Sequence, residues 1–377
     1  MKNLHLSHCV FGYLLVLSGI HSLPAQTQQH NSVSGAVFDA ETNLPLPNAQ
    51  VFIDKSLIGC ITDSSGHFQL LKVPAGNFEV VASLIGYEVQ KKEITISGDF
   101  KGELVFELRP TVLQGPEVLV TAQGDKQWRH DLEKFTLLLL SNTKNGREIR
   151  IQNAHFLAFS ENEAGQFLAV ARAPLIIENL ALGYRLDFLL TDFVATSQNL
   201  RYAGYTRFEE LVPQSPEQNR SWQKNRQRAY QGSLRHFLAT ICDTTSRLDR
   251  RLKEQGFEVF SFKHAWERET KRVAEPVNWK TFFGPSKNSN EVYLSFPDYL
   301  GVKYLYESEE RNFLRHHQIE RDPQAQESWI KLEQSLVKVD RTGRYLGDTA
   351  IIKCGYWAWE RLADMLPFEY KLENSSP

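Results

Sequence analysis

The chain contains little cysteine, and the cysteines that it has are far apart. Four of its 377 residues are cysteine, and no Cys-x-x-Cys pair or Cys/His cluster offers the ligand spacing of a structural zinc site. The sequence therefore excludes a fold stapled by a readable disulfide framework or by a zinc finger. A chain of this length can bury the core of one large domain or of two domains without such staples.

A strong charge of either sign and the common enzyme motifs are also lacking. The formal net charge is -2, which predicts no general attraction to nucleic acid or to an anionic membrane. No Gly-x-Ser-x-Gly nucleophile elbow and no phosphate loop of the Walker or dinucleotide type occurs. Enzymes that depend on these motifs are thereby excluded.

The start of the chain differs in composition from everything after it. A basic and histidine-containing beginning precedes an apolar stretch from Cys9 to Ile20, and small residues precede a cleavage point before Gln26. We predict that residues 1–25 are a secretory signal peptide. Export to the periplasm, the periphery of the outer membrane or the cell surface follows. No later apolar run reaches the roughly 18 residues that a membrane-spanning helix needs.

Residues 32–110 alternate short β-type runs with turn-forming residues, at the spacing of an all-β sandwich. Asp63-Ser64-Ser65-Gly66 supplies a side-chain acceptor at the start of a turn and a residue that tolerates positive φ at its end. Pro45 and Pro47 hold the chain extended. The predicted strands are residues 33–38, 49–53, 58–62, 67–70, 78–83, 89–96 and 103–108.

This segment carries a series of motifs in a characteristic order. They are Ser34-Gly35-x-Val37-x-Asp39 with Pro45-Leu46-Pro47-x-Ala49, then Thr62-Asp63-x-x-Gly66-x-Phe68, Val73-Pro74-Ala75-Gly76 and Gly86-Tyr87. In this order they resemble the carboxypeptidase regulatory-like domain that is common in exported Bacteroidota proteins. The resemblance implies a seven-stranded prealbumin-like β-sandwich that accompanies other domains and is not itself catalytic.

After Pro110 the sequence predicts a linker, residues 111–124, followed by a larger α+β domain, residues 125–370. The predicted fold class of the whole chain is therefore mainly β, with an α+β second part. Residues 125–142 carry apolar side chains at helical spacing. Ser215-Pro216-Glu217 is a typical helix start, and helical structure is expected from there to Glu254 with a break near Gly232. Further strands are expected over residues 154–159, 166–171, 184–190, 257–262, 291–296, 301–306, 336–341 and 351–359.

Parts of this second domain resemble uncharacterised Bacteroidota proteins that carry the same sandwich. The segments concerned are residues 174–184, 222–238 and 355–367. The resemblance implies an architecture and a compartment, and it implies no activity.

A candidate binding patch lies in a locally basic stretch, residues 220–253. Several of its side chains are three, four or five positions apart and can share a helical face. That face could bind a ligand, or it could pack against a neighbouring sheet. The basic side chains could likewise bind an anionic partner, or form a solvated helix face paired with nearby acids. The patch residues are Trp222, Asn225, Arg226, Tyr230 and His236.

Two further groups of residues are candidates for a functional site, one for metal binding and one for sugar binding. His130 and Glu133 have the short spacing of a zinc peptidase, with His155 or His236 as a third ligand. The alternative is that both are solvated residues of a charged helix, and no metal or other cofactor is predicted. The second group consists of aromatic residues that could stack on sugars if exposed, or fill a core if buried. Its members are Trp266, Trp279, Phe282, Phe283 and Tyr293.

From these features we expect an exported cell-envelope protein that is not an enzyme. It would act as a binding, scaffold or accessory protein for protein or glycan ligands, with no nucleic-acid partner and no transmembrane helix in the mature chain. Peripheral association with a membrane is compatible with this interpretation. A hydrolase resembling zinc peptidases is one alternative. An outer-membrane transport component is another, although few residues follow Pro110 for the membrane domain that such a protein needs.

Overall fold

The computed structural model of the chain describes residues 31–97, 100, 102–111, 122–197, 199–242, 247–263, 275–284, 291–347 and 350–372. The predicted signal peptide, Trp266 and most of the predicted linker lie outside these residues. The fold is mainly β, and its seven-stranded N-terminal domain is followed by a larger α+β region, which confirms the predicted fold class. No helix in the described part of the chain is long and apolar enough to cross a membrane.

The N-terminal strands form two sheets that share one apolar core. The first sheet has the order β4-β1-β7 and the second the order β3-β2-β5-β6. β1 pairs antiparallel with β4 and parallel with β7. The strands are β1 (Asn31–Asp39), β2 (Gln50–Ile53), β3 (Gly59–Ile61), β4 (His67–Val73), β5 (Gly76–Ser83), β6 (Gln90–Ile96) and β7 (Glu103–Leu108).

Side-chain acceptors shape the turns of this domain. Oδ1 of Asp63 accepts hydrogen bonds from the backbone amides of Ser65 and His67, both at 2.9 Å. Gly66 completes the turn with φ of 74°, a conformation that costs glycine little. The predicted turn chemistry between β3 and β4 is confirmed.

Asp39 plays a similar part at the end of β1. Its Oδ1 accepts from the amides of Glu41 and Thr42, and the hydroxyl of Tyr87 donates to Oδ2 over 2.8 Å. The hydrogen bond from the Thr42 backbone is the main reason that the pKa of Asp39 lies below its ordinary value. The contact explains physically why the Asp39 motif and the Gly86-Tyr87 motif occur together.

The next part of the chain forms a sheet of the order β8-β11-β12-β10-β9, with β13 also paired to β12. Phe135 and Leu139 of helix α1 (Ala122–Leu140) pack into the apolar core beside this sheet. α1 begins inside the predicted linker, because no proline separates residues 122–124 from the helix that follows. The strands are β8 (Ile149–Ile151), β9 (Leu157–Glu161), β10 (Phe167–Ala171), β11 (Leu175–Asn179), β12 (Tyr184–Ala195) and β13 (Leu200–Glu210).

Within the described residues of the predicted helical stretch, the structure has three helices. Ser215 caps the first by accepting from the Gln218 amide at 3.2 Å, and Gly232 separates the first two with φ of 80°. The helices are α2 (Pro216–Tyr230), α3 (Leu234–Cys242) and α4 (Leu248–Glu254). The predicted start, the break near Gly232 and the end at Glu254 are confirmed.

Two further sheets complete the fold, with orders β14-β17-β18-β20 and β15-β16-β19. Their strands are β14 (Phe257–Phe262), β15 (Phe283–Gly284), β16 (Glu291–Leu294), β17 (Tyr299–Ser308), β18 (Ala325–Leu332), β19 (Val337–Asp340) and β20 (Ile351–Gly355). The short helices between and after them are α5 (Trp279–Phe282), α6 (Arg311–His316) and α7 (Tyr356–Trp359). In the described residues, 3-10 helices cover Asn145–Glu148, Ala154–Phe156 and Leu362–Asp364.

The strand predicted over residues 351–359 is wrong in its second half. β20 stops at Gly355, whose φ of 67° turns the chain into α7. Because positive φ is accessible to glycine at little cost, Gly355 ends the strand although apolar residues continue.

The N-terminal domain is joined to the following region by backbone hydrogen bonds. The amide of Lys55 donates to the carbonyl of Thr206 at 2.7 Å, and the amide of Phe208 donates to the carbonyl of Ser56 at 2.8 Å. The turn between β2 and β3 therefore lies along β13. Next to this contact an apolar cluster contains Phe52 and Val81 of the sandwich and Leu189 of β12.

Candidate functional site

Three residues of the predicted patch hold the turn between β11 and β12. Nε1 of Trp222 donates to the carbonyl of Leu180 at 2.7 Å, and Nδ2 of Asn225 donates to that of Ala181 at 2.9 Å. Nε of Arg226 donates to the next carbonyl along the chain, over 2.7 Å. One face of α2 thus satisfies three successive carbonyl groups of a buried turn.

The same turn explains the close packing of Trp222. Gly183 has φ of 70°, and a Cβ at this position would lie 2.2 Å from the indole ring. Arg226 lies 3.9 Å from the centre of the Tyr184 ring and pairs with Glu210 at 3.1 Å. Glycine is required here both by the backbone and by the ring that lies against it.

The other two patch residues meet in the core beside Gly232. The amide of Gly232 donates to Nδ1 of His236 at 3.1 Å, so Nε2 carries the proton and donates to Gln255 at 3.0 Å. Burial lowers the pKa of His236 and raises that of Tyr230, whose ring centre lies 5.3 Å away. The histidine is therefore held neutral by its surroundings.

Four of the five patch residues therefore direct side-chain polar atoms to partners within the protein, and the ring of Tyr230 packs against those of His236 and Tyr370. Trp222 and His236 are 4% and 6% exposed. The ligand-binding role of the patch stays a prediction. The sequence analysis gave packing against a neighbouring sheet as the alternative to ligand binding. The hydrogen bonds from α2 to the turn between β11 and β12 are contacts of that kind.

The residues of the zinc-peptidase alternative are not gathered into one site. His130 and Glu133 are exposed on α1, and His155 is exposed in a 3-10 helix. His236 uses both ring nitrogens within the core. In the part of the chain that the structure describes, no three His, Cys, Asp or Glu side chains are placed to share a metal ion.

Several basic side chains of the 220–253 stretch form ion pairs along their own helices. Arg220 pairs with Glu217 at 2.6 Å, and Arg250 pairs with Glu254 at 2.7 Å. Such exposed pairs at helical spacing contribute only about 0.3–0.5 kcal/mol each. They correspond to the solvated helix face that was one of the two interpretations of this stretch.

A different set of side chains forms an aromatic face on the sheet that contains β14. In the strand register, Glu258, Lys303 and Glu327 form one row across three strands. The row beside it contains Phe260, Gly301, Trp329 and Cys354. We call the four rings on this side of the sheet the aromatic face: Phe260, Phe262, Tyr299 and Trp329.

The rings of the aromatic face lie close together. Phe262 stacks on Tyr299 with ring centres 5.4 Å apart, lies 5.9 Å from Phe260 and meets the Trp329 ring edge-on at 6.4 Å. Phe260 and Trp329 are half-buried and so remain partly accessible to solvent, whereas Phe262 is only 3% exposed. Gly301 has no side chain, and the Phe260 ring lies over it.

Charged groups border the rings. Nζ of Lys303 lies 3.4 Å from the carboxylate of Glu327 and 5.9 Å from the centre of the Phe260 ring. Nζ of Lys331 lies 5.8 Å from the centre of the Tyr299 ring. Apolar ring surface is thus placed directly beside hydrogen-bond donors and acceptors.

A cleft of about 730 Å³ adjoins the aromatic face at the edge of β14. Phe260, Lys303 and Glu327 line one side of it, and Trp279 lines another. Nε1 of Trp279 donates to Asp249 at 2.8 Å, which fixes the indole ring against α4.

Of the aromatic residues singled out from the sequence, Trp279 alone among those described lines this cleft. Phe282 is buried in the core, Phe283 packs against it, and Tyr293 is half-buried in β16. The residues of the aromatic face were missed, although Glu258-Val259-Phe260-Ser261-Phe262 alternates with period two and so places a charge and two rings on one side of a strand.

Comparison with known proteins identifies the N-terminal domain. Residues 33–120 match the family model of the CarboxypepD_reg-like domain. No curated protein matches the chain.

Similar solved structures include a cohesin–X-dockerin complex from Acetivibrio cellulolyticus, at 16% identity over 26% of this chain and 72% of that chain, with a TM-score of 0.20. A DUF3823 family protein from Bacteroides ovatus matches at 9% identity over 49% and 82%, with a TM-score of 0.18. A proposed carbohydrate-binding protein from Bacteroides uniformis matches at 11% over 48% and 79%, with a TM-score of 0.18.

These TM-scores are too low to transfer a fold or a function. The family match, by contrast, covers the seven-stranded domain except for the first two residues of β1. The motifs around Asp39, Asp63 and Tyr87 have the structural roles described above. Residues 33–120 of this chain are a CarboxypepD_reg-like domain.

Proposed function

We propose that this protein is an exported, non-catalytic accessory protein of the cell envelope that binds a glycan on the aromatic face. The observation that carries the proposal is the in-register placement of the row Glu258, Lys303 and Glu327 beside the row that holds Phe260 and Trp329. Sugars present apolar C–H faces and polar hydroxyl edges, so they suit a surface on which rings and charged groups alternate over a few ångströms.

The setting of the face supports a binding role. The rings are held by a four-stranded sheet, and a site on rigid strands pays little ordering cost when a ligand binds. The adjoining cleft, with Trp279 on its wall, extends the surface beyond the rings. Ligands longer than one sugar unit would therefore find contacts on both sides of the β14 edge.

The CarboxypepD_reg-like domain fits an accessory role in this proposal. It is joined to β13 through backbone hydrogen bonds at Lys55 and Ser56. We infer that it braces the region that carries the aromatic face and does not act as a freely tethered module.

Calorimetric titration with neutral oligosaccharides tests the binding proposal. Cellohexaose, xylohexaose, laminarihexaose and chitohexaose are suitable probes, because they present different faces and substituents to the rings. We expect at least one to bind, and we expect Phe260→Ala and Trp329→Ala each to weaken that binding at least about tenfold. Thermal unfolding of each variant verifies that the sheet remains folded.

Phe156→Ala is the matched control, because Phe156 is a partly exposed ring in a 3-10 helix outside the aromatic face. This variant should bind like the wild type. Absence of binding to every probe would argue against a neutral glycan. Binding that survives both aromatic-face substitutions would place the ligand elsewhere on the protein.

Export is tested separately from binding. Expression of the whole chain in a Bacteroidota host, followed by mass spectrometry of the mature N-terminus, should find a protein that starts near Gln26. An uncleaved N-terminus in the cytoplasmic fraction would contradict the export part of the proposal and leave the binding part unaffected.

A further inference from the structure

Four carboxylates and three basic side chains of the described residues meet where the last 3-10 helix packs against the rest of the second region. Glu307 and Glu310 come from the end of β17 and the start of α6, Glu360 follows α7, and Asp364 ends the 3-10 helix. Among the described residues, the bases that act on them from other elements are Arg228 of α2, Lys144 and Lys353 of β20. Acids outnumber bases at this junction.

Asp364 is the carboxylate at which the elements converge. Its Oδ1 accepts from Nδ2 of Asn145 at 2.7 Å, and Asn145 in turn accepts from Arg228 at 3.3 Å. The hydroxyl of Thr143 acts on the same carboxylate and, like Asn145, lowers its pKa. Oδ2 of Asp364 is buried and has no hydrogen-bond partner among the described residues.

The chain segment after Asp364 straps the CarboxypepD_reg-like domain to the second region. The amide of Phe368 donates to the carbonyl of Lys55 at 2.9 Å. Oε2 of Glu369 accepts from the amide of Leu57 at 3.1 Å. We call residues 367–370 the C-terminal strap.

Arg235 of α3 holds the strap from its other side. Its guanidinium donates to the carbonyls of Pro367, Phe368 and Tyr370 over 2.7–3.0 Å. The strap thus contacts the sandwich and the second region at once, and only two residues separate it from Asp364.

We propose that the carboxylate cluster around Asp364 is a proton-responsive anchor for the C-terminal strap, which holds the two regions together more tightly when the cluster is protonated. The physical basis is the excess of carboxylates over bases, together with a buried carboxylate oxygen that has no donor. The backbone amide of Lys144 donates to both carboxylate oxygens of Glu310, whereas no donor among the described residues meets Oδ2 of Asp364. Ionisation of Asp364 therefore adds repulsion from the neighbouring acids without a donor at Oδ2, and protonation removes that repulsion.

The direction of the effect follows from the pKa values. Burial, with contributions from the neighbouring acids, raises the pKa of Asp364 to about 6 and also raises those of Glu307 and Glu360. Arg228 and Lys144 act against this, as does Lys353 at Glu360. Within the strap, burial also raises the pKa of Glu369, so this carboxylate adds to the effect in the same direction. When a folded-state pKa lies above the unfolded value, the folded state binds more protons, so stability increases as the pH falls through the raised pKa.

Hydrogen exchange of the whole protein tests the proposal. The amides of Phe368 and Tyr370 report on opening of the strap. After correction for intrinsic exchange at each pH, we expect these amides to be about tenfold more protected at about pH 5 than at about pH 7.5. Asp364→Asn, which keeps a side-chain acceptor for Asn145, should flatten this dependence, and so should Glu360→Gln.

The matched control is Asp322→Asn, because Asp322 lies on the surface with its side chain 96% exposed. This variant should retain the wild-type dependence. Protection of the strap that does not change with pH in the wild type would overturn the proposal. The same pH dependence in the wild type and in both cluster variants would overturn it as well.

Discussion

The backbone amide of Thr206 donates a 2.8 Å hydrogen bond to Oδ1 of Asp54, and this bond joins two regions of the chain. Asp54 lies in the turn after β2 of the CarboxypepD_reg-like domain, whereas Thr206 lies within β13. Both residues are nearly inaccessible to solvent, at 4% and 1% exposed. This buried hydrogen bond fixes the CarboxypepD_reg-like domain directly to β13.

Replacement of Asp54 by alanine should destabilise the protein by about 1–3 kcal/mol, because the buried amide of Thr206 loses its acceptor. Urea unfolding measures the change. Asp322→Ala is the control, since it removes an exposed carboxylate, and it should change the free energy of unfolding by less than about 0.5 kcal/mol. Equal effects of the two substitutions would contradict the assigned role of Asp54.

Arg235→Lys should loosen the C-terminal strap although it conserves the charge. A planar guanidinium reaches three strap carbonyls, whereas an ammonium cannot match that geometry. We expect a loss of about 2–3 kcal/mol in unfolding free energy and faster proteolysis within residues 367–372.

The control for this prediction is Arg220→Lys, which changes a side chain that is 66% exposed and has one ion pair on its own helix. This variant should unfold and be cleaved like the wild type. If Arg235→Lys behaves in the same way, the three hydrogen bonds do not hold the strap.

Trp222→Phe tests whether the predicted patch is structural or binds a ligand. The substitution keeps an aromatic ring and removes the hydrogen bond from Nε1 to the carbonyl of Leu180. We expect a loss of about 1–2 kcal/mol in unfolding free energy, since the carbonyl lies in a buried turn. Affinity for an oligosaccharide that binds the aromatic face should not change.

Gln223→Ala supplies the comparison on the same helix, because Gln223 is exposed to solvent. A normal free energy of unfolding for Trp222→Phe, combined with weakened oligosaccharide binding, would favour the binding role that the sequence suggested for the patch.

His236 should make the protein less stable in acid, in the opposite direction to Asp364. Burial lowers the pKa of His236 from its ordinary value of 6.5, so below that pH the unfolded chain binds a proton that the folded protein excludes. Stability from this residue is therefore complete above about pH 6.5 and decreases as the pH falls. Thermal unfolding as a function of pH measures the effect.

His236→Gln removes the titrating ring. We expect the wild type to exceed this variant in melting temperature by a margin that shrinks as the pH falls. A constant margin would show that the ring does not titrate differently in the folded and unfolded states.

Local features of the sequence predict much of the fold. The turn at Asp63, the cap at Ser215 and the break at Gly232 were all predicted, because each depends on residues within four positions of one another. The end of β20 at Gly355 was not predicted, because the conformation of one glycine overrode a run of apolar residues that suggested a strand up to residue 359.

The sequence by itself determined the seven-stranded domain, the helix starts and the absence of the common enzyme motifs. Only the tertiary structure decided which side of α2 is buried and which strands place their rings together. The reason is that Trp222 and Leu180, or Phe260 and Trp329, are far apart in the chain, so helical and strand periodicity define faces without defining what they meet. Strand register, which is set by the whole fold, assembled the aromatic face.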